Sequence, residues 1–126
     1  MTDWRWVAPE VVLAIHDRQL SEHGGGQGLR DPGALDSALV RPQNLAGYGE
    51  PDAAALAAAY AFGIVKSHAF VDGDKRTGWV VARLFLADNG RQLRFDKADA
   101  VRMVGSLAAG LITEDAVAAW LRERLS

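Results

Sequence analysis

The chain has 126 residues, 49% of them hydrophobic and 24% charged, a formal net charge of -2 and no cysteine. That is the composition of one folded domain spanning residues 1–126; disulfides, thiolate nucleophiles and Cys-type zinc sites are excluded, and the mild acidity offers no basic footprint for direct nucleic-acid binding. The longest uncharged run, residues 53 to 65, falls short of the about 20 residues a spanning helix needs, and "MTDWRWVAPE" lacks the basic start and apolar run of a secretory signal. A cytoplasmic protein without membrane contact is expected.

In chain order, "APEVVLAIHDRQLSEHGGG" predicts a helix with Pro9 in its first turn, Val11, Val12, Ile15 and Leu20 mostly on one side, and a triple-glycine stop. Asp31 as N-cap and Pro32 as first residue start a second helix, which Pro42 is expected to end. Residues 43 to 51 then read as a loop or a short hairpin-like flap. The Ala-rich block from Asp52 to about Ser67 forms a third helix. A fourth covers "KRTGWVVARLFLADNG", closed by Asn89 and Gly90, and "RQLRF" reads as a short extended piece. Asp96 caps a fifth with Val101, Val104, Leu107 and Leu111 on one face. Thr113 caps the last, with Val117, Trp120, Leu121 and Leu125 inward and Arg122 and Arg124 suited to the negative end of the dipole. The expected class is all-α, with at most one small β element at 43–50.

The chemistry concentrates in "SHAFVDGDKRTGW", residues 67 to 79, between the third and fourth helices. A helix N-terminus offers unsatisfied N–H groups and the positive end of the dipole, which together favour anions. Gly73 permits close backbone approach, and Lys75 and Arg76 add positive charge. Asp72 suits a hard cation such as Mg²⁺, which is often held by one carboxylate plus substrate phosphates. His68, four residues earlier, is a candidate general base. These are the parts of a phosphoryl- or nucleotidyl-transfer site. The bland alternative is a solvated turn, with Asp74 only an N-cap and Lys75 and Arg76 only surface.

The order of these residues resembles the core motif of the Fic superfamily, His-x-Phe-x-(Asp/Glu)-Gly-Asn-x-Arg, matched at His68, Phe70, Asp72, Gly73 and Arg76. "HGGGQGLRDPGALDSALVRPQ" resembles the segment before the flap in the Doc (death-on-curing) branch, and "PEVVLAIHDRQLSEHGG" resembles its first helix. The resemblance implies a compact helical domain with a flap at residues 43 to 50. His68 would deprotonate a target Ser or Thr hydroxyl, Asp72 would bind Mg²⁺, and Gly73, Asp74, Lys75, Arg76 and Thr77 would cradle the phosphates of ATP. Phe70 would anchor the loop, and Lys66 is a further basic residue placed to meet phosphate. The implied activity is phosphoryl transfer from ATP to elongation factor Tu, arresting translation. No Ser/Thr-x-x-x-Glu-Gly/Asn inhibitory pattern is present, so the implied brake is an external Phd-type antitoxin.

Two departures bear on this expectation. AMP-transferring members usually carry a second Arg three residues after the first, where this chain has Trp79. The family usually has Asn where this chain has Asp74, and a carboxylate about 4 Å from a phosphate charge costs roughly 4 kcal/mol at an effective dielectric near 20. Capping the helix or sharing a metal ion would relieve that repulsion. AMP transfer, and a catalytically silent module that only binds an antitoxin, are the alternatives. "GGGQG" at 24 to 28 lacks the strand and lysine of a nucleotide loop. His16 and His23 lack further ligands for a metal site, and Trp4 and Trp6 read as packing residues.

Overall fold

Six α-helices are present among residues 3–126, the part of the chain that the computed structural model describes. They are α1 (Pro9–His23), α2 (Pro32–Tyr48), α3 (Ala53–Ser67), α4 (Asp74–Asp88), α5 (Lys97–Ala108) and α6 (Glu114–Arg124). Their starts are written locally. Asp31, Asp52, Asp96 and Thr113 each accept the N–H three residues on, at 2.9 to 3.1 Å, the geometry of an N-cap. Gly24, at φ 77°, ends α1 by donating its N–H to the Leu20 carbonyl at 2.7 Å.

Helix α3 is the axis of the molecule and packs against α2, α4, α5 and α6, while α1 lies on α4. Its small side chains explain this. Ala53, Ala54, Ala57, Ala58, Ala59 and Ala61 are all buried, so neighbours approach from every side. Two glycines complete the close packing. A Cβ on Gly78 of α4 would stand 2.9 Å from Val65, and one on Gly63 would stand 3.2 Å from the Ala38 carbonyl. One core cluster draws side chains from all six helices, with Tyr60, Phe70 and Phe85 its largest fully buried members. The Tyr60 hydroxyl accepts the Val7 N–H at 3.0 Å, and Trp4 and Trp6 pack against Phe85 as expected.

Three expectations are corrected. Residues 43–48 are neither loop nor hairpin but the last turns of α2, which runs through Pro42 to Tyr48. Proline removes one N–H and frees the carbonyl four residues back, here that of Ala38. That carbonyl faces Gly63, and Pro42 itself is buried, so tertiary packing sustains the helix. Val11, Val101 (66% exposed) and Leu111 (77% exposed) do not face inward. The buried stripes are Val12 and His16 on α1 and Ala100, Met103, Val104 and Leu107 on α5. The "RQLRF" segment forms only an isolated bridge, Leu93 with Leu125, which ties the C-terminal end to residues 92–94.

Candidate functional site

The end of α3 is set by Ser67, whose hydroxyl donates to the Ile64 carbonyl at 2.8 Å and accepts the Ala69 N–H at 3.1 Å. The chain then turns through His68, the one non-glycine among residues 3–126 with positive φ, at 51°. Such a conformation is sparsely populated for a side-chain-bearing residue and persists where surroundings impose it. Arg30 imposes it: Nη2 and Nε both donate to the His68 carbonyl, at 2.6 and 3.2 Å. His68 is left exposed, and the next two residues are buried.

The loop is pinned along its length by the segment joining α1 to α2. The N–H groups of Arg30 and Asp31 donate to the Ala69 carbonyl, Val71 donates to the Gly28 carbonyl, and Leu29 bridges Phe70 in antiparallel fashion. The glycine run therefore has a structural purpose. A Cβ on Gly25 would lie 2.8 Å from Asp72 Oδ2 and one on Gly26 would lie 2.8 Å from Val71. "GGGQG" lets the two segments lie against one another.

Asp72 is exposed and its Oδ1 accepts the Gly73 N–H at 2.8 Å. Gly73, in the left-handed region at φ 87°, is the N-cap of α4, and no side chain caps that helix. Asp74 thus does not cap its own helix, contrary to one of the two arrangements considered for it. Its carboxylate reaches back and accepts the Phe70 N–H at 3.3 Å. Burial pushes the Asp74 carboxyl above its ordinary range, while the Phe70 N–H and the nearby His68, His16 and Arg30 partly offset this. With no cap, the first turn of α4 presents free N–H groups beside the exposed Lys75 and Arg76.

Two expected site residues stand apart. Thr77 is fully buried, its hydroxyl has no partner, and its N–H donates to the Gly73 carbonyl at 3.0 Å. It sits on the core side of α4. Lys66 carries its ammonium to within 3.5 Å of the Leu107 carbonyl at the end of α5, beside a groove of about 580 Å³ between α2 and α3. Among the described residues no three His, Asp or Glu side chains cluster as a metal site. A lone exposed carboxylate fits Mg²⁺, which takes most of its ligands from substrate phosphate and water. Trp79 is committed elsewhere: it packs edge-on against Phe95 and Trp120, with the Arg83 guanidinium 5.7 Å from its ring.

His16 and Arg30 were not legible as parts of the site. His16 is 3% exposed, stacks on Phe70 with ring centroids 3.7 Å apart, and places Nε2 2.7 Å from the Asp72 carbonyl. The available signal was a polar residue four positions after Val12, on the inward stripe of α1. Arg30 gives no local signal, since its partner lies 38 residues away.

The sequence is similar to known proteins. The Fic/DOC family profile matches residues 6–86. The chain is 35% identical to "Protein kinase doc" of Escherichia phage P1 over 119 residues, 94% of each chain. It is 40% identical to "Toxin Doc" of Mycolicibacterium smegmatis over 103 residues, 78% of each.

Proposed function

Because the chain belongs to the Fic/Doc family, we propose that it is the toxin of a toxin–antitoxin pair and transfers the γ-phosphoryl group of Mg-ATP to a Ser or Thr hydroxyl of elongation factor Tu. The observation that carries this reading is the loop itself: exposed His68 and exposed Asp72 stand on one pinned turn at the uncapped start of α4, beside Lys75 and Arg76. The relative named as a protein kinase spans nearly the whole chain, which favours phosphoryl transfer.

In this account His68 accepts the proton of the target hydroxyl as its oxygen forms a bond to the γ-phosphorus. The bond from that phosphorus to the β–γ bridging oxygen breaks, and ADP leaves. The N–H groups of α4 with Lys75 and Arg76 receive the phosphate charge. Asp72 would hold Mg²⁺, which spreads the negative charge of the phosphates when bound. Asp74 accepts the Phe70 N–H, which turns one carboxylate oxygen toward the loop backbone. Transfer of AMP is disfavoured by Trp79, whose ring belongs to an aromatic cluster. Translation arrest in the cytoplasm, checked by a Phd-type antitoxin, is the corresponding cellular role.

The test is the intact mass of elongation factor Tu incubated with this protein and Mg-ATP. A gain of one phosphoryl group, absent with His68→Ala, supports the reading. A gain of one adenylyl group assigns the AMP-transfer alternative. No gain with the native chain, but phosphorylation by Asp74→Asn, assigns the catalytically silent alternative.

A further inference from the structure

We propose that His16 is a positioning residue for this site: its Nε2–H, donated to the Asp72 carbonyl, fixes the peptide that aims both the Asp72 carboxylate and the start of α4. The inference rests on the phosphoryl-transfer reading for its consequence in catalysis, but not for its structural content.

A carbonyl oxygen only accepts hydrogen bonds, so at 2.7 Å the ring nitrogen facing it carries the proton. The Asp72 carbonyl and the Gly73 N–H belong to one trans peptide unit and point in opposite directions. Drawing the oxygen toward His16 turns the N–H the other way, where Asp72 Oδ1 accepts it at 2.8 Å. One imidazole thereby sets the peptide plane, and the peptide plane holds the carboxylate. The same ring stacks on Phe70 and lies 3.4 to 3.5 Å from where a Gly73 Cβ would be, so it meets the loop at three residues. An apolar ring would fill this space and stack equally well, at a lower desolvation penalty. What the imidazole adds is the donated proton.

Two variants separate these contributions. His16→Phe keeps a ring against Phe70 and removes the donor, whereas His16→Gln restores a donor near the Nε2 position and removes the ring. Amide hydrogen exchange and Mg²⁺-dependent transfer to elongation factor Tu are read on the full chain. We expect the Val71 and Gly73 amides to exchange at least tenfold faster in His16→Phe than in the parent. His16→Gln should return them to within about threefold. The Mg²⁺ concentration for half-maximal transfer should rise fivefold or more in His16→Phe and recover in His16→Gln. Parent-like exchange in His16→Phe, or equal loss in both variants, would overturn the proposal in favour of packing alone. If the parent transfers nothing, the functional reading fails while the exchange data still decide the role of His16.

Discussion

The Asp74 carboxylate accepts the N–H of Phe70, four residues earlier, and so closes the loop that carries His68 and Asp72. Burial is the largest influence on this group and raises its pKa above the ordinary 3.8. A carboxyl raised in this way binds its proton more tightly in the folded chain. Its contribution to stability is full at acid pH and is lost as pH rises through the folded value. Asp74→Asn keeps an acceptor oxygen for Phe70 and removes the charge. This variant is predicted to melt above the parent at neutral pH, with the gap closing as pH falls through the raised folded value and gone below about 4. Its Mg-ATP dissociation constant should fall tenfold or more, on the order of 1.4 kcal/mol. Calorimetric titration and melting curves across pH check both.

Gly25 faces the Asp72 carboxylate so closely that a methyl group would stand 2.8 Å from Oδ2, and its φ of 127° disfavours any side chain. The carboxylate, being the free end of a side chain, is what gives way. Gly25→Ala is predicted to lose about 1–3 kcal/mol of stability from backbone strain. It should also raise the Mg²⁺ requirement of transfer several-fold. Denaturant unfolding and a Mg²⁺ titration measure these separately.

Thr77 buries a hydroxyl that has no hydrogen-bond partner. Valine has nearly the same shape without that penalty. Thr77→Val is predicted to match or exceed the parent's stability, by up to about 1 kcal/mol, and to leave Mg-ATP affinity unchanged. A loss of affinity in a folded variant would return Thr77 to the phosphate site.

The helices were legible where local chemistry writes them. Asp31, Asp52, Asp96 and Thr113 each cap as their positions suggest, and the motif residues are contiguous. What was illegible depends on contacts across the fold. Pro42 reads locally as a stop, yet α2 continues through it, with Pro42 buried and α3 packed closely against the preceding turn at Gly63. His16 reads as one histidine on a helix until α1 packs beside a loop 56 residues away. Arg122, placed by the sequence at the negative end of the α6 dipole, also grips the Asp52 carboxylate at 2.6 and 3.0 Å and so ties α6 to the start of α3, a contact no local pattern announces. This guanidinium is the main reason that Asp52 stays below the usual carboxylate range.

The most direct test of the central claim is to follow the label from ATP carrying it at either the α- or the γ-phosphate, with elongation factor Tu, Mg²⁺, and the native or His68→Ala chain. The account predicts transfer of the γ-label alone, lost in His68→Ala. Transfer of the α-label, γ-transfer that survives His68→Ala, or no transfer from either position would contradict it.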